Sequence, residues 1–123
     1  ALYVIDMNNI NQQIEEASNA LNNEKYKKAL TILEPLAKTQ NAQALSMLGT
    51  MYQLGTGVTV DGKKAVELLS KAVSLGVGVA AHNLGTIYIT GLPGIKKDAA
   101  LSKKYYRLAK DMGAQFAEDK FYE

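Results

Sequence analysis

The sequence predicts an all-α solenoid of about three helical hairpins followed by a C-terminal capping helix. Two observations support this prediction: a motif that returns at a fixed distance, and apolar residues spaced three and four apart between glycine-rich breaks. The recurring residues are Leu48, Gly49, Tyr52 and Gly55, which return 36 positions later as Leu84, Gly85, Tyr88 and Gly91. A repeat of that length is typical of stacked supersecondary units.

The composition is that of an ordinary globular chain and excludes several classes of site. The 123 residues are 47% apolar and 21% charged, and we treat residues 1–123 as a single repeat domain. A net charge of +2 is too small to indicate a nucleic-acid partner. The absence of cysteine excludes disulfides, cysteine metal ligands and a thiol nucleophile. No apolar run is long enough to predict a transmembrane segment.

The first hairpin, residues 8–40, is the least regular of the three. Its two helices are separated by Asn22-Asn23 and carry apolar residues at helical spacing. Pro35 lies inside the second helix, where a proline ring removes an N–H donor and clashes one turn back. The sequence therefore predicts a kink or a 3₁₀ turn at Pro35.

The second and third hairpins, residues 41–76 and 77–113, share one pattern. Gly55 and Gly91 end the first helix of each, and Asp61 and Asp98 are placed to cap the second. Ala117 matches Ala44 and Ala80 in position, so residues 114–123 are predicted to begin a terminal helix that closes the edge of the array.

Gly49 and Gly85 lie in helix interiors, where each costs about 1 kcal/mol relative to alanine. Their recurrence at one register indicates that a neighbouring helix lies directly against the backbone there. Tyr52 and Tyr88, one turn later, are then expected to pack between the paired helices.

These residues resemble the Sel-one-like repeat (SLR), a short α/α relative of the tetratricopeptide repeat. The residues of the second hairpin that carry the resemblance are Ala44, Leu48-Gly49, Tyr52, Gly55, Gly57-Val58, Asp61, Lys64-Ala65, Lys71-Ala72 and Gly76. The third hairpin departs from the pattern at Leu101-Ser102, where Lys-Ala is usual. The first hairpin, residues 8–40, is closer to a plain tetratricopeptide unit.

The resemblance implies a right-handed α/α superhelix in which the first helix of each pair faces a concave groove that binds a protein or peptide. It implies no cofactor and no catalysis, and it is typical of bacterial adaptors and regulators. An immunity protein that neutralises a secreted toxin is the alternative role. The resemblance slightly favours an exported or periplasmic protein over a cytoplasmic one, and it leaves the oligomeric state open.

Register relative to Gly49 and Gly85 gives the residues expected in that groove. On the second hairpin they are Gln43, Ser46, Thr50 and Gln53; on the third, Val79, His82, Thr86 and Ile89; on the terminal helix, Phe116 and Asp119; and on the first, Asn11, Ile14, Ser18 and Leu21. This lining lacks the Lys/Arg pairs with which tetratricopeptide grooves clamp a C-terminal carboxylate. The alternative interpretation is a solvated helix face.

Two further features are compatible with an enzyme or an RNA binder, and neither indicates one. His82 is the only histidine, and no motif supplies the carboxylate or nucleophile that a catalytic base needs. The basic segment 96–110 is interpreted as a solvated outer helix face, with an acidic partner, an anionic membrane or RNA as alternatives. The aromatic residues interpreted as interface side chains, provided that they are exposed, are Tyr106, Phe116 and Tyr122.

Overall fold

The structure is a computed structural model that describes residues 7–114, and this part of the chain is all-α. Its six helices are α1 (Met7–Asn22), α2 (Tyr26–Lys38), α3 (Ala42–Leu54), α4 (Gly62–Ser74), α5 (Gly78–Thr90) and α6 (Ala99–Asp111). The all-α superhelix predicted from the repeat is confirmed. The predicted terminal helix, with Phe116, Asp119 and Tyr122, lies outside the described residues.

The helices pack as three hairpins that stack in sequence order. Each odd-numbered helix packs on the next even-numbered one, α2 contacts α3, and α4 contacts α5. Helices α3 and α5 also touch directly, so the first helices of the second and third hairpins form one face, which we call the inner face. A core of fully buried side chains, including Leu33, Leu45 and Leu84, runs through α1 to α5.

The second helix of each of the last two hairpins begins with the predicted aspartate cap. The carboxylates of Asp61 and Asp98 accept hydrogen bonds from the backbone N–H groups of Lys64 and Leu101, at 3.1 Å and 3.0 Å. Asn41 caps α3 in the same way, a role that the sequence analysis did not assign. These side chains satisfy N–H groups that have no partner within the helix.

Pro35 does not interrupt α2, which remains α-helical to Lys38. The 3₁₀ turn predicted at this position is therefore wrong. Pro35 and Thr31, whose carbonyl loses its helical partner, are both exposed, so water can satisfy that carbonyl. On the opposite face, buried Leu33 and Ala37 hold the helix against the core.

The two helix-interior glycines lie where the helices of a hairpin approach most closely, as predicted. A Cβ on Gly49 would lie 2.8 Å from Cγ of Leu69, and one on Gly85 would lie 2.5 Å from Cδ1 of Tyr106. Both distances are shorter than carbon atoms tolerate, so neither helix pair could pack in this way with alanine at the glycine position.

Candidate functional site

The candidate site is a cavity of about 370 Å³ on the inner face, which we call the inner groove. It is made mainly by α3 and α5, with contributions from α1 and α2. Its lining residues are Leu21, Tyr26, Ser46, Met47, Thr50, Met51, Leu54, Thr56, Val79 and Asn83. All ten are uncharged, so the groove is an apolar surface with a few polar groups.

Two large apolar side chains of this groove remain exposed to solvent. Leu54, at the end of α3, is 62% exposed, and Val79, in the first turn of α5, is 43% exposed. Burial of apolar surface contributes about 25 cal/mol per Å². A partner that covered both side chains would therefore gain binding energy from them.

A polar contact crosses the groove and joins the second hairpin to the third. The side-chain amide of Asn83 donates to Oγ1 of Thr50 over 3.0 Å, and the Thr50 hydroxyl donates to the carbonyl oxygen of Ser46 over 2.9 Å. These hydrogen bonds join α3 to α5, the two helices that carry Leu54 and Val79.

The structure brings together some of the residues expected in the groove. Leu21, Ser46, Thr50 and Val79 line it, although Ser46 is almost fully buried. The remaining expected residues on α3 are outside the lining: Gln43 is exposed and Gln53 is half-buried. The Oε1 atom of Gln53 is buried and has no hydrogen-bond partner among the described residues.

The expected residues His82 and Thr86 lie against α6 rather than in the inner groove. Oγ1 of Thr86 and the hydroxyl of Tyr106 are 2.9 Å apart, and the rings of His82 and Tyr106 are 5.1 Å apart between centroids. Ile89 is 51% exposed and is not part of the groove lining.

Tyr106 is buried, so it does not meet the condition of exposure on which its interpretation as an interface residue depends. It is only 5% exposed, because its ring occupies the space left by the missing side chain of Gly85. Its neighbour Ser102 is fully buried and donates to the carbonyl oxygen of Gly85 over 2.6 Å. Because this hydrogen bond satisfies the buried hydroxyl, serine is tolerated at a position where alanine is usual.

The sequence analysis missed six groove residues: Tyr26, Met51 and Thr56, and also Met47, Leu54 and Asn83. Met47, Leu54 and Asn83 do not stand out in the repeat motif, because their positions hold different residues in the two copies: Met47 corresponds to Asn83, and Leu54 corresponds to Thr90. That difference was the available signal, since the positions that recur are the ones used for packing.

Burial lowers the pKa of His82 below its ordinary value of 6.5. The neutral imidazole is therefore favoured in the folded state, and between the lowered pKa and 6.5 the unfolded chain binds more protons than the folded chain. The contribution of His82 to the free energy of unfolding is therefore complete above pH 6.5, and it decreases as the pH falls from 6.5 towards the lowered pKa.

We expect this effect in a comparison of wild type with His82→Gln. In urea unfolding at about pH 7.5 and about pH 5, wild type should lose more stability on acidification than the variant does. Parallel pH profiles for the two proteins would contradict the assignment to His82.

The described residues show neither a metal-binding cluster nor a membrane-spanning helix. Within residues 7–114, no three His, Cys, Asp or Glu side chains are grouped so that they could hold a metal ion. In the same range, no helix combines the length and the apolarity needed to cross a bilayer.

Two solved structures share this arrangement of helices. A Sel1 repeat protein from Oxalobacter formigenes is 28% identical with a TM-score of 0.73, over 89% of this chain and 41% of the other. A protective antigen of uropathogenic Escherichia coli strains that displays an SLR fold is 25% identical with a TM-score of 0.72, over 85% of this chain and 23% of the other. This chain thus spans less than half the length of either protein. No curated protein matches the sequence significantly.

A family model independently identifies the repeats. The Sel1 repeat model matches residues 42–77 and again residues 78–113, which together are more than half of the chain. This match confirms the resemblance drawn from the glycine, tyrosine and aspartate positions. Sel1 repeats are a general scaffold for protein–protein interaction, and this chain belongs to the Sel1 repeat family.

Proposed function

We propose that this protein is a non-enzymatic binding module whose inner groove holds an apolar segment of a protein partner, in the role of an adaptor or regulator. The single observation that supports this proposal is the exposure of Leu54 and Val79 in one groove between stacked hairpins. Isolated exposed apolar residues are common on protein surfaces. Two that line the same concave surface are a more specific feature, because concave apolar sites favour ligand binding.

The chemistry of the lining favours an uncharged, apolar partner segment. The groove residues carry no charge, so a charged side chain of the partner would lose its hydration without gaining a counter-ion. Asn83 uses one amide donor for Thr50, and a carboxamide has a second donor and an acceptor oxygen. The backbone of a bound segment is the natural partner for these groups.

Replacing Leu54 with arginine should abolish capture of the partner. The substitution places a cation in the lining of the groove and removes an apolar contact, and partner recovery should fall about tenfold or more. The measurement is affinity purification from the native host with the wild-type and variant proteins as bait, followed by quantitative mass spectrometry.

The matched control is Leu75→Arg. Leu75 is 50% exposed, follows α4 and does not line the inner groove, so this variant carries the same chemical change elsewhere. It should recover the partner as wild type does. Undiminished recovery by a Leu54→Arg protein with unaltered circular dichroism would refute the inner groove as the binding site.

The identity of the captured protein separates the adaptor role from the immunity role. An immunity protein would capture a secreted toxin, and co-expression would protect a cell from that toxin. An adaptor would capture a component that is not toxic and whose activity or location depends on the complex. The Leu54→Arg variant should lose either effect, because both roles use the same groove.

A further inference from the structure

A second groove of about 480 Å³ lies between α2 and α4, and we call it the outer groove. Its floor is formed by Leu45, Leu48 and Tyr52 of α3, and lysines stand on both sides. At 100° per residue, these floor residues lie on the side of α3 opposite to Met47 and Thr50, which line the inner groove. The two grooves are therefore separate surfaces.

The outer groove carries a positive charge that the inner groove lacks. Lys38 of α2 and Lys64 and Lys71 of α4 line it, and Glu34 is the carboxylate among its described lining residues. Lys71 is balanced by Glu67, whose Oε1 lies 3.3 Å from the lysine Nζ. Lys38 and Lys64 are thus the ammonium groups best placed to attract an anionic partner.

The corresponding position between α4 and α6 is occupied by different residues. There, Tyr88 and Tyr105 stack with ring centroids 5.8 Å apart and planes inclined by 7°. The α6 residues that correspond to Lys64, Leu68 and Lys71 are Leu101, Tyr105 and Leu108. Lysine occurs at two of these positions in the family pattern, so the lysines alone are not distinctive. The distinctive feature of the outer groove is the space that remains between these lysines and α2.

We propose that the outer groove binds an acidic peptide segment of a partner protein. An apolar or aromatic side chain of the segment enters the groove and contacts the partly exposed Tyr52 beside the Lys64 ammonium, and flanking aspartates or glutamates pair with Lys38 and Lys64. The size of the groove, about 480 Å³, favours a peptide over a small inorganic anion. This inference does not depend on the inner groove.

The contacts of Tyr52 favour a peptide over RNA. Single-stranded RNA binds most strongly where its bases stack on exposed aromatic faces. The Nζ atom of Lys64 lies 4.6 Å from the centroid of the Tyr52 ring and covers that face. An ammonium in this position retains N–H donors for a carboxylate.

The test uses a fluorescein-labelled synthetic peptide in which one phenylalanine is flanked on each side by three acidic residues. Binding to the whole chain is measured by fluorescence anisotropy and mapped by ¹H–¹⁵N chemical-shift changes. We expect saturable binding that weakens as salt is added, with shifts at Leu45, Leu48, Tyr52 and Lys64. The double variant K38Q/K64Q should bind about tenfold more weakly.

Two control variants make the result specific. K27Q/K28Q removes the same charge from exposed lysines of α2 that do not line the outer groove, and it should bind as wild type does. Leu54→Arg, which alters the inner groove, should also leave this binding unchanged.

Any of the following results would overturn the proposal. The first is an equal loss of affinity in K38Q/K64Q and K27Q/K28Q, which would indicate attraction to net charge alone. The second is equal binding of a peptide with lysines in place of its acidic residues, or no saturable binding of the acidic peptide. The third is tighter binding of polyuridine RNA than of the acidic peptide at Lys38 and Lys64, which would indicate a nucleic-acid surface.

Discussion

Replacing Gly85 with valine should lower the free energy of unfolding by about 3 kcal/mol or more, the upper range for overpacking a core. A Cβ at this position would lie 2.5 Å and 2.7 Å from Cδ1 and Cε1 of Tyr106. The tyrosine ring cannot move aside without cost, because it is buried and its hydroxyl is hydrogen-bonded to Thr86. The gain in helix propensity on losing a glycine is below about 1 kcal/mol and does not offset the clash.

Chemical denaturation followed by circular dichroism measures this loss. The cause can be isolated in a double-mutant cycle with Tyr106→Leu, which removes the ring that meets the new side chain. If the clash is responsible, Gly85→Val should cost less in the Tyr106→Leu background than in wild type. An unchanged cost would show that the ring is not the obstacle.

Replacing Gly62 with valine should cost about 2–3 kcal/mol for a different reason. Here the added Cβ would lie 2.6 Å from the carbonyl oxygen of Pro93 and 2.9 Å from Cγ1 of Ile95. That carbonyl belongs to the turn of the next hairpin, which is closed by hydrogen bonds between Leu92 and Ile95 of 3.1 Å and 2.8 Å. The obstacle is backbone, so it cannot rotate away as a side chain can.

The same denaturation measurement tests Gly62, and Ala99→Val is its matched control. Ala99 occupies the first position of α6, as Gly62 does in α4, but Ala99 is exposed. The control should retain nearly the stability of wild type. Equal stability of Gly62→Val and wild type would show that the second and third hairpins do not depend on this close contact.

The repeat and the ends of its helices were predictable because the signals are local. Gly49 and Gly85 stand out because a glycine inside a helix is costly without a close neighbour, and the structure shows that neighbour in each case. Asp61 and Asp98 cap helices through a side chain that reaches backbone N–H groups three residues ahead. None of this requires knowledge of which hairpins touch.

The groove and the environment of Tyr106 were not predictable in the same way. Helical periodicity locates the buried side of α3, yet that helix contacts α2, α4 and α5. A shift of one residue turns a side chain by 100°, enough to exchange Ser46 for Met47 as the more accessible groove residue. Pro35 shows a second limit, since tertiary packing of α2 outweighed a local helix-breaking signal.

The two grooves lie on opposite sides of α3, so this helix stands between them. The diameter of a helix with its side chains is about 10 Å. Two polypeptides engaged at once would thus be held within roughly that distance of each other, and each would experience the other at a high effective concentration. Because only one helix separates the two sites, the repeat array would bring two molecules together without a conformational change.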